Sequence, residues 1–397
     1  MVNLVLVSNT CSDETFKCLS SMKNKEKLAP SQKYFDMLVH GLADIDGYTV
    51  TCLTARAIDP SNCNLKGLKY YEETVDGIKY IYPKVINKKI IKNLNNFFQG
   101  KKISKRIIKE NKKKNIKTIF LLDPLSYDIS VGALKSAKNS KKCCVITDLP
   151  EQMYAIGKGN GKRGFIKKIA SRISDKIIEK ADCFGFITES MNVVNTENKP
   201  YAIIEGMVMP RMVGDDQPRV KNIVMYAGGL FEKFGIKKLI EAFLLLPENN
   251  YELHLYGEGL LSDYITTVGK THPNVKYMGA VGLNEIMSAE KEAKLLVNPR
   301  PSNEDFTKYS FPSKTLEYMS AGRPVLTTKL SGIPEEYFDY VYTMDDESVE
   351  GIKKSLAKVL SLGDDELNRK GLKAKEFVFN NKSNVIQSGK LCRMLKE

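Results

Sequence analysis

The chain has 397 residues, 42% of them apolar, with 61 Lys or Arg against 47 Asp or Glu and a formal charge of +14. That composition excludes a disordered or fibrous chain, and the length suits two domains that each bury a core. No apolar run reaches the ~18 residues of a spanning helix, and three histidines with eight cysteines in no CxxC pair argue against a zinc site.

The first residues, from Met1 to Val7, lack the basic start and cleavage site of a signal peptide. They read as a strand of a chain expected in the cytoplasm. Strands expected at residues 4–8, 48–53, 118–122, 143–147 and 183–187 alternate with helical stretches, the pattern of a parallel sheet with crossover helices. Residues 31–43 predict a helix with Ser31 as cap and Phe35, Leu38, Val39 and Leu42 on one face. A second stripe, Phe165, Ile166, Ile169, Ile173 and Ile177, has Lys168, Arg172 and Lys176 opposite. Cys143 and Cys144 would point to opposite faces of a strand, so reduced, buried thiols are expected.

Basic residues concentrate in this half. Residues 84–117 hold 13 Lys or Arg against Glu110 alone, and residues 158–180 hold eight against Asp175 and Glu179. The first run is interleaved with Ile90, Ile91, Leu94, Phe97, Phe98, Ile103 and Ile107, which reads as an amphipathic basic surface drawn to anionic lipid. Nucleic acid is the rival partner, but no recognition motif supports it.

The texture changes over residues 206–222, where Pro210, Gly214, Asp215, Asp216 and Pro218 read as an exposed linker. A second alternating series follows, with strands expected at residues 223–227, 251–256, 275–278, 295–297 and 325–328. Residues 348–360, 364–377 and 384–395 read as terminal helices, the first two parted by Gly363.

Ser313 reads as the N-cap of a short helix over residues 314–321, with Gly322 as its stop and Pro324 preventing its resumption. Such a helix start offers unpaired N–H groups and a positive dipole end to a diphosphate. Lys314 and Thr315 would serve the phosphates chiefly through backbone N–H groups. Glu317 stands one turn further on the same face, where a carboxylate can accept from two vicinal hydroxyls of a ribose.

This segment resembles the donor-binding motif of retaining GT-B glycosyltransferases, the family that builds bacterial capsules, exopolysaccharides and glycolipids. The likeness continues through Tyr226, Ala227, Gly228, Gly229 and Leu230, through Gly257, Glu258 and Gly259, and through Gly332, Ile333, Pro334 and Glu335, over about residues 222–340. The N-terminal half is similar in its alternation of elements and around Thr188 and Glu189. The resemblance implies an α/β chain of two facing Rossmann-like domains with an inter-domain cleft. Residues 1–205 would bind the acceptor, and residues 223–383 would bind the nucleotide sugar. Residues 384–397 would pack back on the first domain.

The resemblance also implies roles. Gly228, Gly229, Gly257 and Glu258 would lie close to the nucleotide, and Gly279, after the next strand, would hold the base through backbone groups. Family members commonly carry a glutamate where this chain has Tyr309, Arg where it has Gly229, and Lys where it has Phe234. Arg300 and Lys233 are therefore expected to neutralise the diphosphate, with Lys308 and Lys314 flanking. Glu304 and Asp305 are candidates to replace the missing sugar-binding carboxylate. Asp148 follows a strand and is expected to act on the acceptor hydroxyl or donor sugar; Asp123 and Glu189 occupy similar positions, and each of the two aspartates reads equally as a helix-initiating residue. His40 reads as structural.

Asp44 and Asp46 have a metal-binding D-x-D form, but Asp46 and Gly47 read as a turn. The loop from Gly157 to Arg163 fails the spacing of a P-loop. No metal or cofactor is expected. The nucleotide sugar, UDP-linked or similar, is a substrate, and the acceptor is expected to be a membrane-linked glycan at the inner face of the plasma membrane. Two rival readings remain: a sugar-nucleotide epimerase or hydrolase, and a non-catalytic partner of another glycosyltransferase.

Overall fold

Every side chain of β1 (Val2–Ser8) after Val2 is buried, the pattern of a strand covered on both faces. The computed structural model describes residues 1–22, 30–151, 162–210, 219–247, 250–303 and 305–397. The side chain of Ser31, the linker residues Gly214, Asp215, Asp216 and Pro218, most of the loop that starts at Gly157, and Glu304 lie outside the described residues. The chain divides into two units, Met1–Glu205 with Asn384–Glu397, and Gly206–Ser383.

In the first unit, β1 is flanked by β2 (Tyr48–Thr54) and β7 (Lys117–Leu122), both parallel to it. The sheet order is β10-β9-β8-β7-β1-β2-β5-β4, with β4 (Tyr71–Val75), β5 (Ile78–Tyr82), β8 (Lys141–Ile146), β9 (Cys183–Phe186) and β10 (Tyr201–Ile203). Only β4 runs antiparallel, as a hairpin on β5. Gly67–Leu68 (β3) and Val85–Ile86 (β6) form a separate antiparallel pair.

The helices are α1 (Asp13–Ser21), α2 (Pro30–Ala43), α3 (Lys89–Lys113), α4 (Tyr127–Ser136) and α5 (Lys162–Glu179). Crossovers from β5 to β7, β7 to β8 and β8 to β9 all step in one direction. Right-handed connections therefore lay α3, α4 and α5 side by side on one face of the sheet. The opposite face carries α2, where Ser388 Oγ donates to Leu38 O at 3.1 Å from the chain's last helix, Asn384–Lys396.

The second unit is a parallel sheet in the order β13-β12-β11-β14-β15-β16. Its strands are β11 (Lys221–Ala227), β12 (Glu252–Tyr256), β13 (Val275–Gly279), β14 (Ala293–Asn298), β15 (Val325–Thr328) and β16 (Tyr342–Met344). Chain order runs outward from β11 on one side and resumes at β14 on the other, so the topology switches between these two strands. In open α/β sheets, ligands bind outside the carboxyl ends of the strands at that switch. The helices are α6 (Ile236–Leu244), α7 (Ser262–Thr271), α8 (Leu283–Glu292), α9 (Ser313–Ser320), α10 (Val349–Leu360) and α11 (Asp364–Asn381), and the C-terminal helix Asn384–Lys396 is α12. Leu239, Phe243, Leu253, Leu295 and Leu356 are buried in the core of this unit.

Several expectations are corrected. Ser31 falls inside α2, since Pro30, whose ring pre-sets a helical φ, already belongs to the helix. Ser313 is the first residue of α9 and not its cap; Pro312 holds the cap position. The strands β3 to β6, β10 and β16 were not anticipated, because short edge strands such as β4 carry Glu72 and Glu73 in place of an apolar run. The thiols are free, and Cys18 is exposed while the rest are buried.

Candidate functional site

At the switch of the second sheet, β11 ends at Ala227 and the chain turns through Gly228 and Gly229, while β14 ends at Asn298 and runs on to Arg300. A pocket of about 150 Å³ opens between these ends and the start of α9, lined among others by Tyr226, Gly229, Phe234, Arg300, Ser313 and Lys314. Complete small-molecule sites usually enclose ~300–1,000 Å³, so this pocket suits one polar part of a ligand.

The walls are tied together by buried polar contacts. Tyr318, fully buried on α9, takes a hydrogen bond from Ala227 N at 2.8 Å, which fixes the helix against the end of β11. Asn298 Nδ2 donates to Thr315 Oγ1 at 3.3 Å, joining β14 to the same helix. Thr328 Oγ1, at the end of β15, donates to Arg300 O. Groups held this way need little reordering when a ligand arrives.

With Pro312 at the cap there is no side-chain acceptor for the first N–H groups of α9, and Ser313 itself is exposed. Those N–H groups have no partner within the helix, and the dipole makes this end positive. Thr315 is fully buried, with its N–H bonded to Pro312 O at 3.0 Å, while of the expected phosphate set Ser313 and Lys314 line the pocket.

Two cations reach this pocket. Lys314 runs beside Gly228, with its Nζ 2.9 Å from where a Cβ on that glycine would stand. The Arg300 guanidinium lies over the Phe234 ring at 5.5 Å from its centre. Burial pushes the Tyr226 phenol up, with the positive charge of Arg300 opposing that rise. The Tyr226 hydroxyl donates to Gly229 O at 3.1 Å. Lys233 is exposed, its ammonium 5.1 Å from the centre of the same Phe234 ring, and does not line the pocket.

Gly257, at φ +120°, stands where an added Cβ would run into Gly228 O, and its N–H donates to Gly279 O at 2.7 Å. A side chain at Gly257 would strike that carbonyl, so this turn requires glycine. Glu258 is exposed, and its carbonyl accepts from Leu230 N at 2.9 Å. Glu317, half-buried one turn into α9, lies outside the lining of the pocket. Tyr309 sits at the end of a 3-10 turn, Asp305–Tyr309, with the Lys308 ammonium 5.1 Å from its ring centre.

In the first unit, Asp123 is committed to a turn. Its Oδ1 accepts from Leu125 N at 2.9 Å and its Oδ2 from Ser126 Oγ at 2.6 Å. Burial pushes its carboxyl up to about 6, against those hydrogen bonds. Asp148, beyond the end of β8, is also pushed up to about 6, by burial first and then by the charge of Asp123. Glu189 is exposed and its Oε1 accepts from Tyr201 OH at 2.7 Å. His40 bonds Asp36 O through Nδ1 at 2.8 Å. Gly47 adopts φ +87°, in the turn that follows Asp44 and Asp46.

The structure thus gathers Gly229, Arg300, Ser313 and Lys314 in one pocket, sets Gly228 against the arm of Lys314, and puts Glu317 one turn beyond. Sequence reasoning gave no role to Phe234, Asn298 or Tyr318. Asn298 is two residues before Arg300 at a strand end, which is the signal that was available for it.

Residues 221–361 match the family model described as Glycosyl transferases group 1. No curated protein matches the sequence. Solved structures match over the whole length of the chain. Sucrose-phosphate synthase (tll1590) from Thermosynechococcus elongatus aligns at a TM-score of 0.64 and 16% identity, covering 100% of this chain and 99% of its own. Anabaena Alr3699/HepE, in complex with UDP, aligns at 0.59 and 10%, covering 100% of both chains. The lipopolysaccharide outer core galactosyltransferase WaaB, in its apo form, aligns at 0.59 and 12%, covering 100% and 99%. At such identities the likeness establishes the fold, which is GT-B.

Proposed function

We propose that this GT-B chain, with its group 1 glycosyltransferase match over residues 221–361, moves a sugar from a nucleotide diphosphate to a membrane-linked glycan acceptor with retention and without metal. The observation that carries the reading is the pocket at the sheet's switch point, where Arg300, Lys314 and an uncapped helix start converge. That is a seat for a diphosphate.

Ser313, Lys314 and Thr315 belong to the turn that receives the phosphates, with Lys314 and Arg300 neutralising the charge left as the sugar departs. Lys233 serves at the rim. Glu317 holds the ribose hydroxyls, and the turn of Gly257, Glu258 and Gly279 faces the base. Tyr309 contributes to the sugar pocket, and Asp148 acts on the acceptor side. The leaving diphosphate assists deprotonation of the acceptor on the same face as the departing bond, so no separate nucleophile is required. The basic first unit suits an acceptor anchored at the inner face of the plasma membrane by a polyprenyl diphosphate or a lipid.

Thermal unfolding with UDP-, GDP-, ADP- and dTDP-sugars, on wild type and Glu317→Ala, tests this reading. A ligand at a hundred times its Kd adds ~2.7 kcal/mol. One nucleotide class should shift the wild type, and the shift should fall in the variant. No shift with any nucleotide favours a non-catalytic partner role, a reading suggested by Gly229 and Tyr309. Release of free sugar or of an epimer without acceptor favours a hydrolase or epimerase.

A further inference from the structure

A helix packed on a sheet normally hides its apolar side chains, and α3 does so with one face only. Asn96, Ile103, Ile107 and Asn111 are buried, and Asn96 Nδ2 donates to Asp128 Oδ2 of α4 at 2.8 Å. At 100° per residue, Ile91, Leu94, Phe98, Lys102, Lys105 and Lys109 fall within roughly 80° of arc on the opposite side. All six are exposed: Ile91 by 47%, Leu94 by 54% and Phe98 by 62%.

The stripe is segregated along its length. Its first ~10 Å, from Ile91 to Phe98, is apolar, and the next ~10 Å, from Lys102 to Lys109, is cationic. Arg106 sits beside it, donating to the hydroxyl of the exposed Tyr70 at 2.7 Å. The acids nearby are already engaged, Glu72 by Arg106 and Lys79, and Glu110 by Arg106. The stripe therefore keeps its positive charge.

We infer that this face of α3 is a docking surface for an anionic lipid bilayer. Ile91, Leu94 and Phe98 enter the boundary between headgroups and acyl chains, and Lys102, Lys105 and Lys109 meet lipid phosphates. The inference rests on the proposed membrane-linked acceptor for its purpose and on α3 alone for its geometry. A nucleic-acid phosphate backbone would match the lysines, but it gives no reason to expose two aliphatic side chains and one ring in line with them. Membranes reward that combination.

The chain has no tryptophan, so Phe98→Trp is a unique probe. Its emission should move to the blue with phosphatidylcholine vesicles containing phosphatidylglycerol, and stay fixed with phosphatidylcholine alone. Leu94→Ser with Phe98→Ser should lower vesicle partition about tenfold. Lys102→Glu, Lys105→Glu and Lys109→Glu together should lower it at least tenfold and remove its salt dependence. Both variants should keep the wild-type circular dichroism.

Wild type remaining in the supernatant with anionic vesicles at low salt would overturn the inference. So would wild-type sedimentation with unmoved emission from the Phe98→Trp variant, which assigns docking to another surface. Binding to duplex DNA that survives the serine pair, without vesicle binding, would overturn it in favour of a polyanion. The nucleotide-induced thermal shift should be the same in all α3 variants. If that shift is absent while the vesicle results hold, the glycosyltransferase reading falls and the docking surface stands.

Discussion

Lys314 lies across Gly228, its ammonium 2.9 Å from the point a Cβ on that glycine would occupy, with the Tyr226 hydroxyl 2.7 Å from the same point. Glycine is thus present because a charged arm passes over it. Gly257, on the neighbouring turn, is glycine for another reason: it has φ +120°, and a Cβ there would meet the backbone of Gly228.

The two glycines should therefore respond differently to alanine. In Gly228→Ala the obstructing atoms are chiefly the far end of a flexible side chain, which swings away at a cost below about 1 kcal/mol of stability. The displaced ammonium loses its charge-assisted contacts with phosphate, and nucleotide affinity should fall about tenfold. Gly257→Ala should lose about 3 kcal/mol or more, from backbone strain and a clash that no rotamer relieves. Urea unfolding with titration calorimetry separates the outcomes; equal losses of stability would refute the distinction.

Arg300 and Lys233 share the Phe234 ring, but only Arg300 lines the pocket. Arg300→Ala should lower kcat/KM by about 10²–10³, the usual cost of one donor aimed at developing charge. Arg300→Lys should recover little, since an ammonium neither forks between phosphate oxygens nor stacks flat on the ring. Lys233→Ala should stay within about threefold of wild type, as expected for an exposed charge at the rim. Comparable losses at the two positions would put Lys233 in the pocket after all.

Much of this arrangement was readable in the residues, and the exceptions have physical causes. The parallel strands announce themselves because β1 and β7 are buried apolar runs bounded by turn residues. The α9 segment was legible down to its glycine stop, and Gly322 does adopt φ +73°. Its start was displaced by one residue, since a serine after proline looks like a cap whether or not its side chain is used as one. The strand order was not legible. It depends on which strand pairs with which, and that order puts Asn298 and Arg300 opposite Gly228. Nor could spacing reveal that the Phe234 ring seats the guanidinium of Arg300.

Asp148 gives the clearest link between ionisation, stability and function. Burial, helped by the charge of Asp123, pushes its carboxyl up to about 6 from an ordinary 3.8. Between these values the folded protein binds a proton that the unfolded chain has lost, so stability falls as pH rises. The favourable contribution is complete below about pH 4 and gone above about pH 6. Among the described residues none donates a hydrogen bond to this carboxylate, so ionised Asp148 is a burden on the fold. Asp148→Asn should then be more stable than wild type by about 1–3 kcal/mol at pH 8, with the gap closing by about pH 4, as urea unfolding at the two pH values would measure. If Asp148 acts on the acceptor, the same variant should lose about 10²-fold in turnover while keeping its nucleotide-induced thermal shift. A variant destabilised at pH 8 would mean that the carboxylate has a stabilising partner in the folded chain, and the assignment to the acceptor side would lose its physical basis.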